Sequence, residues 1–289
     1  MATRSALLVM LASLGWGLSG GMAGVLMAAG WPPLVVSFYR GAVGLVCVAG
    51  WLALRPGHRP FASRRLWGGA VVAGLGVAGN FAFYFISIAQ GSVAVAATLM
   101  YCAPVFVYLV SFVGGLERPT PGKWAAIAAT LLGIVLLTEV YAAGAGSVTL
   151  VGGVAGLLAG LSYAVFIFGF TYAAPHGSPQ AILTVAFAVL AAVLLALAEV
   201  GQVYAVLSDR YLPLFVLLGL VGAGGSFVLY VIGLRRISPA VASIVAMVEP
   251  VTASLFGVAV LGETLAAGQL LGIGLILVTV TALSFSSRG

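Results

Sequence analysis

Residues 246 to 251 read AMVEPV, and Glu249 is the only charged residue between Val241 and Gly262. It lies 11 residues past Ser238 and 13 before Gly262, near the middle of any helix that crosses a bilayer here. A carboxylate at that depth costs about 2.5 to 3.5 kcal/mol on insertion scales, so such groups face a cavity or a partner. Three roles are open to it. It binds an ammonium group or exchanges a proton; it bonds backbone groups freed by Pro250; or it pairs with Arg40. Arg40 is itself about 12 Å deep in its own apolar stretch, at about 1.5 Å per residue. It suits a ligand carboxylate, a pairing with Glu249, or helix-end carbonyls. Glu117 and Glu263 stand at the ends of apolar stretches, just before new ones, where acid complements a helix N-terminus; their reading is structural.

Pro104 and Pro250 each interrupt an apolar run near its middle. A proline there removes one backbone bond and pushes away the carbonyl four residues earlier, that of Met100 or Ala246. In hydrocarbon such a carbonyl needs a partner, so both kinks should face the interior, as shaped helices or as gating elements. Trp16, Asn80, Tyr84 and Tyr101 fall inside apolar stretches rather than at their ends, as do Tyr163, Ser226 and Tyr230. With Glu249 they offer what a small-molecule cavity needs, a few polar groups among aromatic walls; the alternative for each ring is packing with a satisfied hydroxyl.

Other chemistries lack their residues. There is no GxSxG, HExxH or Walker A sequence, Asp209 is the sole aspartate, and His58 and His176 both fall in loops, so no enzyme is expected. Cys47 and Cys102 are isolated and define neither a metal site nor a disulfide, and no cofactor is implied. GWGLSG at 15 to 20 and GLGVAG at 74 to 79 match GxGxxG without the strand a dinucleotide site requires. These glycines, and the ladder Gly152, Gly156 and Gly160, let helix backbones approach closely.

The elements that must position these groups are apolar helices. The chain of 289 residues is 63% hydrophobic and 6% charged, far from soluble composition. Arg65 and Glu117 bracket 51 residues without acid or base, too many for one span of about 20. Punctuation by Gly, Pro and charge gives ten helices, at 6 to 28, 32 to 54, 66 to 89, 93 to 116, 121 to 140, 150 to 173, 179 to 200, 212 to 234, 239 to 261 and 266 to 286. The first is too long for a signal peptide and is read as retained. The net charge of +6 does not point to nucleic acid. With a cytoplasmic N-terminus, ten of the twelve bases, Arg59 and Arg288 included, fall inside, only Arg210 falls outside, and Arg40 lies within a span. That asymmetry predicts N-in, C-in.

Shifting the sequence by 146 places superposes Pro33 on Pro179, Tyr84 on Tyr230, Ser92 on Ser238, Pro104 on Pro250 and Glu117 on Glu263. The fold expected is therefore an all-α polytopic membrane protein of two five-helix repeats, 1–140 and 141–289, inverted because five is odd. EPVTASLFGVAVLGETLAAGQLLGIGL at 249 to 275, the looser APVFVYLVSFVGGLERPTPGKW at 103 to 124 and GWG at 15 to 17 resemble the twin EamA repeats of the drug/metabolite transporter superfamily. The likeness covers nearly the whole chain and is strongest toward exporters of aromatic amino acids in bacterial inner membranes. It implies a multi-pass carrier in that membrane, moving amino acids and related metabolites by alternating access, with lipid around it and no obligatory protein partner. The alternative is a proton-coupled exporter of drugs or organic cations, which would use a deep acid for coupling. Ala103 stands in the first repeat where Glu249 stands in the second, so the halves are not chemically equivalent.

Overall fold

The computed structural model describes residues 2–55, 61–90, 93–142 and 149–286; His58, Arg59, Ser92 and Arg288 lie outside these. Among the described residues regular structure is entirely helical. The first half comprises α1 (Ala2–Ala28), α2 (Pro33–Leu54), α3 (Arg64–Ala89), α4 (Val93–Met100), α5 (Ala103–Val113) and α6 (Pro121–Thr138). The second comprises α7 (Leu150–Ala173), α8 (Pro179–Leu197), the short α9 (Val200–Ala205), α10 (Leu212–Gly219), α11 (Ser226–Gly233), α12 (Pro239–Val245), α13 (Val248–Leu261) and α14 (Ala267–Ser286). A π-helical turn, Leu220–Gly225, joins α10 to α11.

Helix starts follow local chemistry. Ser63, Thr120, Thr149, Ser178 and Ser238 each accept a backbone N–H of the following first turn, occupying a donor that the helix leaves free. Pro33, Pro121, Pro179 and Pro239 stand where a missing N–H costs nothing.

Nine helical stretches among the described residues are long and apolar enough to cross a membrane, counting α4 with α5, α10 through α11, and α12 with α13 as one each. The apolar part of α14, Ala267–Ala282, is shorter. Large apolar side chains such as Val46, Val113 and Leu150 are exposed on outer faces, a surface suited to lipid rather than water.

The continuous kinked helices expected over 93 to 116 and 239 to 261 are each two segments. Pro104 and Pro250 have no N–H to return to the carbonyl four residues earlier, and the chain turns before restarting. Cys102 N donates to Leu99 O at 3.2 Å in one turn, and Glu249 N donates to Ala246 O at 2.9 Å in the other. The carbonyl that Pro250 leaves free is thus taken by the amide just before it.

Close packing sets the helix pairings. α2 and α8 run antiparallel, with Gly41 against Leu190 and Gly44 against Phe187. α6 and α14 are also antiparallel, with Gly133 against Ile276 and Gly272 against Leu137. α1 and α13 run parallel, with Gly17 against Thr252 and Gly21 against Phe256. Backbones of α3 and α7 nearly touch at Gly69 and Gly169, while Gly76 abuts Phe166. In the ladder on α7, a Cβ on Gly156 would meet Leu99, and one on Gly160 would stand 2.9 Å from the Leu99 carbonyl. Between the halves lies a layer of rings in which Trp16 packs 4.8 Å from Tyr230 and 4.9 Å from Phe227, with Phe166, Phe170 and Phe187 around them.

Candidate functional site

The α12–α13 break explains how a carboxylate sits so deep. α13 restarts at Val248, which places Glu249 and Pro250 in its first turn. A first turn has free N–H groups and the positive end of the helix dipole, so an anion is stabilised there that a mid-helix position would penalise. From α7, Tyr163 Oη donates to Glu249 Oε2 at 3.3 Å. The matching break between α4 and α5 carries the fully buried Ala103 instead, and its helix N-terminus has no side-chain anion.

Beside Glu249 opens a cavity of about 420 Å³. On α1 its lining runs from Trp16 to Met27 and on α13 from Glu249 to Gly257, about 16 Å and about 12 Å along these parallel helices at about 1.5 Å per residue. Trp16, Asn80, Tyr101 and Glu249 form its deep end, backed by the ring layer. Gly17, Gly20, Gly21 and Gly24 make the α1 wall, and Ser37 and Arg40 come from α2. Phe81, Tyr84 and Phe85 supply an aromatic wall from α3, and Met27, Val93 and Glu263 border the other end, where Val93 is 59% exposed.

Arg40 forms no ion pair with Glu249 within 4 Å among the described residues. Its Nε and Nη2 donate to the Gly222 carbonyl at 3.4 and 3.3 Å, and its guanidinium lies 5.2 Å from the centre of the Phe81 ring. Gly222 belongs to the π-helical turn, whose widened ladder leaves carbonyls to be claimed by side chains. Of the roles weighed for Arg40, a helix carbonyl is the one occupied here. Two of its nitrogens share that single acceptor, and the guanidinium still borders the cavity.

Five of the sequence candidates, Trp16, Asn80, Tyr84, Tyr101 and Glu249, line this one cavity. The others support it from behind. Tyr163 holds the Glu249 carboxylate. Tyr230 packs behind Trp16 and is fully buried, its hydroxyl without a hydrogen-bond partner among the described residues. Ser226 is turned to its own helix, donating to Val221 O at 2.5 Å, because it sits hard against Gly15 of α1. Pro104 and Pro250 are buried in the first turns of α5 and α13, off the lining. The indole Nε1 of Trp16 also lacks a partner among the described residues, leaving a donor at the deep end.

Several lining groups escaped the sequence reading although their signals were present. Phe81 and Phe85 stand at i−3 and i+1 from the candidate Tyr84, on one helix face with it. Gly17, Gly20, Gly21 and Gly24 repeat that spacing over two turns; read as packing surface, they are also cavity wall. Glu263 lines the cavity while its counterpart Glu117 does not. No group of three or more His, Cys, Asp or Glu able to hold a metal occurs among the described residues.

Comparison with known proteins adds a common identity for both halves. Residues 3–139 and 150–285 each match the model of the EamA-like transporter family. An uncharacterized transporter of Archaeoglobus fulgidus is 33% identical over 251 residues, covering 86% of this chain and 85% of the relative. The uncharacterized inner membrane transporter YedA of Escherichia coli K12 is 29% identical over 255 residues, 86% of this chain and 81% of its own. The uncharacterized transporter YwfM of Bacillus subtilis is 24% identical over 289 residues, 98% and 94% of the two chains. A solved crystal structure superposes with a TM-score of 0.76 at 19% identity, covering 99% of both chains, a likeness of fold alone.

Proposed function

This chain belongs to the EamA-like transporter family, and from that premise we propose that it is a secondary carrier exporting amino acids, foremost aromatic and other neutral ones, and related metabolites by alternating access. It is a multi-pass membrane protein of a transporter family rather than an enzyme. The observation that carries the substrate reading is that Glu249 and Arg40 border one cavity whose wall also carries the rings of Trp16, Phe81, Tyr84, Phe85, Tyr101 and Phe256. A carboxylate and a guanidinium complement the ammonium and carboxylate of a zwitterion, and Phe81, Tyr84, Phe85 and Phe256 suit an apolar side chain. The volume of about 420 Å³ is ordinary for a small-molecule site.

Ten helices in two inverted repeats, 1–140 and 141–289, form the framework in this reading, with α14 as the tenth span. Two features support it. The family model matches once in each half. The helices paired by the 146-residue shift, α2 with α8 and α6 with α14, run antiparallel where they pack. With both termini cytoplasmic, as the basic residues favour, the cavity opens away from the cytoplasm and the ring layer closes the opposite side. Alternation then consists of one half adopting the packing of the other around a fixed site. The relative YedA carries an inner-membrane name, and the same location is proposed here.

Two carboxylates, Glu249 and Glu263, against one guanidinium at the cavity favour a second reading, a proton-coupled exporter of organic cations or drugs. One experiment decides between them. Uptake of radiolabelled amino acids into proteoliposomes, across a panel and with and without a pH gradient, should saturate and show counter-exchange with aromatic and neutral amino acids. Transport of organic cations with no amino acid flux would replace the first reading by the second, and unsaturable conductive flux would remove both.

A further inference from the structure

We propose that Glu263, just past the end of α13, is a second contact for the cationic group of the transported molecule, met at the mouth of the cavity. This rests on the reading of the cavity as the substrate site.

Glu117 and Glu263 occupy equivalent places 146 residues apart. Each returns its backbone N–H to the carbonyl six residues earlier, Glu117 to Ser111 at 3.3 Å and Glu263 to Gly257 at 3.2 Å. Their side chains then part ways. The Glu117 carboxylate is paired with Lys123 of α6 and is largely buried, which closes that turn. At the position equivalent to Lys123 the second half has Gln269, whose side chain is committed elsewhere. Gln269 Oε1 accepts from Ala266 N at 2.9 Å, and its Nε2 donates to Leu137 O at 3.2 Å.

The Glu263 carboxylate has no hydrogen bond or ion pair among the described residues. It is folded back over Gly257, where any Cβ would strike its Oε2, and there it lines the cavity. This is not a place where a helix recruits an acid. The C-terminal end of α13 presents free carbonyls and the negative end of the dipole, and the start of α14 is served by Gln269. Geometry therefore withdraws the helix-start role expected from sequence and leaves an unpaired anion at the opening. Gly257 is eight residues beyond Glu249, about 12 Å along α13, so the cavity face of this helix is bounded by a carboxylate at each end, Glu249 on the helix and Glu263 folded over Gly257 from beyond it. A molecule with an ammonium group meets attraction at both ends; one bearing only a carboxylate is opposed at the mouth.

The test uses the full chain in proteoliposomes, with radiolabelled phenylalanine as substrate and two competitors. Phenylalaninol keeps the ammonium without the carboxylate; 3-phenylpropanoate keeps the carboxylate without the ammonium. Glu263→Gln should raise the KM for phenylalanine and the inhibition constant of phenylalaninol about two- to five-fold, the scale of an exposed ion pair, with kcat little changed. Inhibition by 3-phenylpropanoate should not weaken, and Glu263→Asp should restore part of the loss. If Glu263→Gln does not fold, Gly257→Ala keeps the charge but displaces the carboxylate, and it must produce the same split. Equal weakening with both competitors, or with neither, overturns the inference while leaving amino-acid export intact. A wild-type protein that transports no amino acid overturns both.

Discussion

Replacing Glu249 by glutamine removes a charge and keeps a shape. The amide oxygen of the new side chain can still accept from Tyr163, whose hydroxyl stands 3.3 Å from the native carboxylate, so the helix contact survives as a neutral hydrogen bond. Exchanging a charged for a neutral bond costs the fold on the order of 1 kcal/mol, a shift of a few degrees in thermal unfolding. A substrate ammonium loses more. A hydrogen bond to a charged group is worth about 1.5 to 3 kcal/mol, which converts to a loss of about ten- to hundred-and-fifty-fold in kcat/KM. Initial rates of phenylalanine uptake into proteoliposomes, beside unfolding in detergent, measure the two effects separately. Transport at the full wild-type rate across the pH range would take Glu249 out of the mechanism. A collapse of stability in step with rate would instead make it a strut between helices.

Other substitutions probe neighbouring claims. Arg40→Lys loses the planar fork that spans Gly222 O and the cavity, and should weaken phenylalanine about ten-fold while leaving competition by phenylalaninol intact; equal effects on both would refute a carboxylate contact. Gly17→Val brings a Cβ to about 2.5 Å from the Glu249 carbonyl oxygen, and overpacking of this kind should lower stability by about 1 to 3 kcal/mol in thermal unfolding. Pro250→Ala should change stability by less than about 1 kcal/mol, because the proline already occupies a first turn; a continuous helix would gain about 3 kcal/mol from the same change.

The membrane-spanning character and most helix limits were legible in the sequence because apolar length, Gly/Pro punctuation and capping Ser and Thr are local signals. Pro104 and Pro250 announced disturbed helices, but residue type alone did not distinguish a kink from a restart; that outcome depends on the i to i−3 turns at Cys102 and Glu249. Glu249 stood out from its depth. Its partner did not, since Tyr163 is 86 residues away in sequence and reaches it only through the packing of α7. For the same reason the target of Arg40, a carbonyl 182 residues along the chain, was hidden: it exists because Leu220–Gly225 winds as a π-helix, and backbone winding leaves little trace in residue type. Glu263 was read alike with Glu117, and the difference between their surroundings had a visible signal, Gln269 standing where the first half has Lys123.

If the cavity is the transport site, Gly20 and Gly24 of the α1 wall set an upper bound on its cargo. Nothing lies within 4 Å of where a Cβ on Gly24 would stand, and only Ala253 at 3.9 Å approaches one on Gly20, so side chains added there would project into empty space. A methyl added at either position trims the interior without disturbing a helix contact, whereas one at Gly17 or Gly21 strikes α13. On the proposed function, a size filter is thus written in two residues that carry no side chain at all, and relatives that differ only there would sort larger from smaller molecules on an unchanged scaffold.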